Sequence, residues 1–241
     1  MLKGKKILVT GATSGIGRQI AITMASLGAH VIISGRSSER ANSLQKEIGS
    51  NSEVALLDIT SREDVMHLVS DIDVLDGIVH SAGINQILPV GLFTEEHINN
   101  LFRVNYSAPL LLTQQLVKKR KIMQNSSIVF ISSIMSIVGN EGNTIYAGTK
   151  AALVGSMQCM ALELAKRQIR VNCVSPGFIR TEMTDDKIKV NVDEITKQIS
   201  LHPLGEGKPS DVASMCAFLC SDHTRWITGQ NIVIDGGYCA R

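Results

Sequence analysis

The chain is 241 residues long and 44% hydrophobic, which suits one α/β domain with a single sizeable core better than two small ones. Its 24 Lys and Arg nearly balance its 22 Asp and Glu, and a net charge of +2 gives no global field for nucleic acid or an anionic membrane. Five cysteines, none in a Cys-x-x-Cys pair or matched to His at zinc-finger spacing, argue against a metal site and a disulfide framework, so a reducing cytoplasmic setting is expected.

The chain opens with no apolar run long enough for a signal peptide, and no later stretch is long enough to span a bilayer. Short apolar runs predict strands at 5–10, 30–34, 53–57, 77–80, 127–132, 170–174 and 231–235. Ile7-Leu8-Val9, Val31-Ile32-Ile33 and Ile128-Val129-Phe130-Ile131 are apolar throughout, the pattern of strands covered on both faces. Helix-period stretches separate these runs. Strand–helix alternation with right-handed crossovers gives a Rossmann-like, doubly wound parallel sheet of about seven strands flanked by helices. No linker, repeat or low-complexity block divides the chain, so residues 1–241 are expected to form one dinucleotide-binding and catalytic domain.

The first strand runs into Thr10-Gly11-Ala12-Thr13-Ser14-Gly15-Ile16-Gly17, with a helix expected from about Arg18. A glycine turn between strand and helix lets backbone N–H groups and the helix N-terminus approach a pyrophosphate. The second strand ends at Ser34-Gly35-Arg36-Ser37-Ser38, with no carboxylate before Glu39. NAD-binding domains usually place an acid there for the ribose hydroxyls, whereas Arg36 offers a forked donor set and Ser37 a hydroxyl to a 2′-phosphate. NADP(H) is therefore favoured over NAD(H). Further along, Lys118-Lys119-Arg120-Lys121 reads as a solvated helix end.

Ser133 closes the fifth strand, placing a hydroxyl at the carboxyl edge where such sheets bind ligands. Tyr146 and Lys150 stand four apart in an apolar helical stretch and share one helix face. A free phenol, with a pKa near ~10, is a poor acid at neutral pH, and an adjacent ammonium stabilises its phenolate. After Pro176-Gly177, residues 177–209 break the strand–helix rhythm with a polar stretch carrying Lys187, Lys189, Glu194 and Lys197, closing at Pro203 and Pro209. An insertion after a strand's carboxyl end reads as a substrate lid.

Together these pieces resemble the short-chain dehydrogenase/reductase family: Thr10–Gly17, Asp58-Ile59, Ser81-Ala82-Gly83, Asn105, Ser133, Tyr146-x-x-x-Lys150, Pro176-Gly177 with Thr181, and Asp235-Gly236-Gly237. They occur in family order and cover essentially the whole chain. The resemblance implies that Tyr146 protonates a carbonyl oxygen as hydride arrives from the nicotinamide, and that Ser133 hydrogen-bonds the same oxygen. Lys150 would lower the tyrosine pKa and hold the nicotinamide ribose, and Asn105 would fix a water in a proton relay. Gly11, Thr13, Ser14, Gly15, Ile16, Gly17, Arg36, Ser37, Asp58, Ile59, Ala82, Gly83, Pro176, Gly177, Ile179 and Thr181 would line the cofactor, with Asp58 at the adenine edge.

Two departures stand out. His80-Ser81 replaces the family's Asn-Asn, and His80 is expected to be a packed strand-end residue. Ser14 stands where many NADP-dependent members carry a basic residue. Gly139-Asn140 and Pro203-Leu204-Gly205 look like the 3-oxoacyl-[acyl-carrier-protein] reductase branch, which implies a carbonyl or acyl-thioester substrate and an acidic carrier docking at Arg167, although Gln124 fills another position that is often Arg. Another small carbonyl or alcohol (sugar, steroid or xenobiotic) and a non-catalytic NADP-binding regulator stand as alternatives. The stretches 108–117 and 151–165 are apolar over more than one face, which with the resemblance implies a homo-oligomer, a tetramer by expectation.

Overall fold

The computed structural model describes residues 1–182 and 192–240. Among these, β1 (Lys6–Thr10), β2 (His30–Gly35), β3 (Ser52–Leu56), β4 (Leu75–His80), β5 (Ile122–Ile131), β6 (Arg170–Pro176) and β7 (Asn231–Ile234) form one sheet in the order β3-β2-β1-β4-β5-β6-β7. Every neighbouring pair runs parallel. The helices that make the crossovers include α1 (Gly15–Ser26), α2 (Ser38–Ile48), α3 (Arg62–Asp71), α4 (Glu95–Phe102), α5 (Ala108–Lys118) and α6 (Thr144–Leu164), with later helices at Val192–Ser200 and Pro209–Cys220.

All seven expected strands are present, with one boundary well off. β5 begins at Ile122 rather than 127, because its first residues are the exposed Met123, Gln124 and Asn125, which carry no apolar signature. The register with β4 shifts between Leu75 and Gly77, and Asn125 adopts φ 65°, so this end is an irregular bulge rather than a buried strand.

The period-2 alternation explains why the apolar runs are continuous. Ile7, Val9, Val31, Ile33, Val79 and Val129 face one side and pack with Ile20 and Met24 of α1 and with Val212 and Ala217. Leu8, Ile32, Ile78, Ile128 and Phe130 face the other, against Leu112 and Leu116 of α5 and Leu153 and Met157 of α6. Each large side chain so buried contributes roughly 1.5–3 kcal/mol, so both faces of every central strand have to be apolar. Cys216 and Cys220 are buried in the first of these cores, as small apolar residues would be. Among the described residues no helix is long and apolar enough to cross a membrane.

The basic run is a helix end, as expected. Lys118 lies in the last turn of α5, and Lys121 Nζ donates to the Ile72 carbonyl at 2.6 Å, tying the end of α3 to the start of β5. The 177–209 insertion leaves the sheet after β6 and returns at Pro209. Its stem is zipped by Gly207 N–H to Phe178 O and Arg180 N–H to Gly207 O, each 3.0 Å, while Lys187 and Lys189 lie outside the described residues.

Strand order reverses direction between β1 and β4, and the crevice at their carboxyl ends is where doubly wound sheets take ligands. The β1–α1 turn sits there and is held tightly to its neighbours. Gly11 has φ +64°, and a Cβ on it would stand 2.7 Å from Ala82 Cα; a Cβ on Gly17 would run into the Gly11 carbonyl oxygen. Since backbone fills the space, a methyl can be admitted only by moving the turn. Gly17→Ala is expected to cost roughly 1–3 kcal/mol, the usual penalty of overpacking, read as a lower midpoint in denaturant unfolding. An unchanged midpoint would show that the turn has slack.

Candidate active site

The residues expected from the sequence collect at the carboxyl ends of successive strands. Gly11, Thr13, Ser14, Gly15, Ile16 and Gly17 follow β1; Arg36 and Ser37 follow β2; Asp58 and Ile59 follow β3; Ala82 and Gly83 follow β4. Ser133 follows β5, while Pro176 ends β6 and is followed by Gly177, Ile179 and Thr181. Asn105, Tyr146 and Lys150 come from helical segments packed over the same edge.

Lys150 is 5% exposed on the inner face of α6, and its Nζ donates to the Ile131 carbonyl at 2.8 Å, just where β5 ends. Ser132 Oγ returns a bond of 3.1 Å to the Lys150 carbonyl, so strand end and helix are tied in both directions. The next residue, Ser133, brings its hydroxyl to the same strand end, where it acts to lower the Tyr146 phenol's pKa. Lys150 Nζ lies 5.6 Å from the Tyr146 ring centroid. Two hydroxyls and a cation are thereby gathered at one strand end.

Burial sets the protonation of this group. Desolvation pulls Lys150 down to about 8, partly opposed by Cys173, which leaves an ammonium at neutral pH. Desolvation also raises the Tyr146 phenol above its ordinary value, with the Ser133 hydrogen bond pulling the other way. This differs from the sequence-based expectation that Lys150 lowers the tyrosine pKa. In the buried site the loss of water outweighs any help from the ammonium, whose near contact is the Ile131 carbonyl.

Asn105 sits in a π-helical turn, Arg103–Ser107, between α4 and α5. Such a turn inserts a residue into the helix and often marks a functional position. The Asn105 side chain is 1% exposed and pairs with the backbone of Ile84 in both directions: Ile84 N–H donates to Oδ1 and Nδ2 donates to Ile84 O, each at 2.8 Å. Nδ2 also reaches Thr149 Oγ1 at 3.2 Å, and that hydroxyl donates to the Tyr146 carbonyl at 2.7 Å. Thr149 and Ile84 were missed by sequence reasoning. Thr149 offered one signal, a polar residue on the inward side of an apolar helix. A Cβ on Gly83 would stand 3.3 Å from Asn105 Oδ1 and 3.6 Å from Lys150 Nζ, which places the β4 loop against the same cluster.

His80 is a packed residue, as expected. It stacks on Phe130 with centroids 4.7 Å apart, and Thr113 Oγ1 lies 2.8 Å from Nε2. Because the Thr113 hydroxyl donates to Pro109 O, the His80 Nε2–H is the donor to it. Burial drops its pKa to about 3, so it stays neutral and cannot serve as a proton donor.

The cradle beside this cluster fits a dinucleotide. Ser14 caps α1 without any side-chain capping bond, and Thr181 Cγ2 stands 3.4 Å from where a Gly15 Cβ would be, so the turn presents backbone at a helix N-terminus with Thr181 packed beside it. Thr10 Oγ1 accepts from Ala82 N–H at 3.3 Å, holding the β4 loop to the β1 end. Beyond β3, one oxygen of Asp58 accepts from Thr60 N–H at 2.8 Å and Thr60 Oγ1 at 2.7 Å, and these bonds hold the carboxyl below its usual range, with a smaller effect from Arg36.

The sequence matches the family described as Enoyl-(Acyl carrier protein) reductase over residues 11–239. It is 38% identical over 237 residues to the 3-oxoacyl-[acyl-carrier-protein] reductase of Rickettsia felis, covering 98% of this chain and 97% of that one. Its fold superposes on a dehydrogenase/reductase from Sinorhizobium meliloti 1021 with a TM-score of 0.92 and 29% identity, covering 99% of this chain and 96% of that one. ElxO, solved with NADP bound, matches with a TM-score of 0.89 and 30% identity over the full length of both chains. With its seven-stranded parallel sheet, glycine turn and Ser-Tyr-Lys cluster in place, the chain belongs to the short-chain dehydrogenase/reductase family of oxidoreductases.

Proposed function

We propose that the protein is an NADP(H)-dependent reductase of 3-oxoacyl thioesters with Tyr146 as its general acid. The observation that carries this is the convergence of the Ser133 hydroxyl, the Tyr146 phenol and the buried Lys150 ammonium beside the glycine cradle. A bound reduced nicotinamide supplies the hydride. Tyr146, kept protonated by burial, gives its proton to the carbonyl oxygen, and Ser133 donates a hydrogen bond to that oxygen as charge grows on it. The phenolate left behind would be stabilised by the Lys150 ammonium, which lies 5.6 Å from the ring centroid. Asn105 and Thr149 would fix the Tyr146 turn and the start of a proton path, while Lys150 would also hold the ribose.

The cofactor preference rests on Arg36 in place of an acid after β2, and on the NADP bound to ElxO. Asp58 would meet the adenine edge and Thr181 the phosphates. The residues 177–209 would close over the substrate within one domain, in a cytoplasmic enzyme. Arg167 supports docking of an acidic carrier: its guanidinium is anchored by a 2.5 Å bond to Ile122 O, beside exposed Gln124. Reduction of an enoyl C=C rests on the family description alone. NADPH consumption across a panel of 3-oxoacyl thioesters, enoyl thioesters and simple sugars, steroids and ketones decides among these. Fastest turnover on the 3-oxoacyl thioester supports the proposal, and none on it refutes the proposal.

Tyr146→Phe keeps the ring and removes the proton, so turnover is expected to fall by roughly 10²- to 10⁴-fold with NADPH binding retained. Lys150→Ala should lose activity and cofactor affinity together. Retention of about a tenth of wild-type turnover by Tyr146→Phe would remove the phenol from the mechanism.

Arg36→Leu is expected to weaken NADPH by about 10- to 100-fold, the value of a charged hydrogen bond, and to leave NADH nearly unchanged. Equal losses of both in a fluorescence titration would show that Arg36 does not read the 2′-phosphate.

The outer faces of α5 and α6 carry Leu111 at 59% and Leu162 at 80% exposure, more apolar surface than packing on the sheet needs. A homotetramer is expected, with a dimer as the smaller assembly consistent with the same faces. Light scattering at micromolar concentration checks this, and a monomer contradicts it.

A further inference from the structure

We propose that Arg40 is a second reader of the 2′-phosphate, held in waiting by Glu182, and that phosphate binding exchanges one partner for the other. This rests on the reading above that the cofactor carries that phosphate. The glycine turn brings Ser14, a hydroxyl rather than a cation, to its outer end, and Arg18 on α1 is ion-paired with Glu47 of α2. Positive charge beside the adenosine end therefore comes from Arg36, where β2 ends, and from Arg40 in the first turn of α2, whose N–H bonds the Ser37 cap at 3.3 Å.

The Arg40 guanidinium reaches across to Glu182 Oε2 at 3.4 Å, a contact between residues 142 apart in sequence. Glu182 directly follows Thr181, which stands against Gly15 of the phosphate turn. The ion pair thus bridges α2 and the segment after β6 over the flank of the cofactor cradle. Both side chains are well exposed, at 60% and 68%, and the bond is long, so the pair is weak and easily exchanged. A phosphate dianion offers Arg40 a stronger, forked contact than one carboxylate oxygen. Glu182 then has two effects against NADP(H): it competes for Arg40, and it leaves an unpaired negative charge near the phosphate. With NAD(H), nothing draws Arg40 away and the bridge stays closed.

The test is a set of NADPH and NADH fluorescence titrations on the full chain. R40A is expected to weaken NADPH about five- to twentyfold while changing NADH by less than about twofold. E182Q keeps the side chain's shape and is expected to tighten NADPH about two- to fivefold, again with NADH unchanged. Equal effects of R40A on both cofactors, or an E182Q protein that binds NADPH no tighter than wild type, would overturn the exchange. R36L separates the two ideas. If R36L is selective for NADPH and R40A is not, the exchange fails and the 2′-phosphate reading stands; if neither is selective, the 2′-phosphate reading itself fails.

Discussion

A lysine ammonium buried at the end of a β-strand must find oxygen partners inside the protein, and the position of Lys150 follows from that need. Its Nζ takes the Ile131 carbonyl at the last residue of β5, and Ser132 answers with a bond to the Lys150 carbonyl. These two ties fix α6 against the strand end at one height. Ser133 comes directly after Ser132, just beyond the strand, and Tyr146 lies one helical turn before Lys150, so both hydroxyls are placed by the same ties. Asn105 and Thr149 then lock the turn that carries Tyr146 to the loop after β4.

The same burial that demands these partners sets the chemistry. Loss of water acts on the half-buried Tyr146 and the buried Lys150 alike, and the consequences have opposite signs: the phenol holds its proton more tightly and the ammonium less so. In the proposed mechanism, an acid that stays protonated until hydride arrives is paired with a cation that remains charged at neutral pH. His80, at the end of the neighbouring strand, is excluded from the role by that same physics, since burial holds it neutral.

Much of this was legible in the sequence, where a local rule left a mark. Continuous apolar runs marked the strands, Gly11 to Gly17 the glycine turn between β1 and α1, and Arg36 in place of an acid the expected cofactor type. The start of β5 left none, because Met123 to Asn125 are exposed and irregular. Partners that are backbone atoms were also invisible: the Ile131 carbonyl and the Ile84 amide look the same in any residue. The Arg40–Glu182 pair joins positions 142 apart and could be seen only in three dimensions. The direction of the Tyr146 shift was misjudged because four-residue spacing shows an ammonium nearby but not how much water is lost around the phenol.

The central claim is that a buried Lys150 ammonium supports proton donation by Tyr146, and its pH dependence tests this directly. Lys150 is charged below about 8, so kcat/KM for carbonyl reduction should be sustained at neutral pH and fall as pH rises through about 8. In Lys150→Arg the cation does not titrate in that range, so any residual activity should lose this inflection. A wild-type profile that stays flat through the same range, or an inflection that persists in Lys150→Arg, would contradict the account.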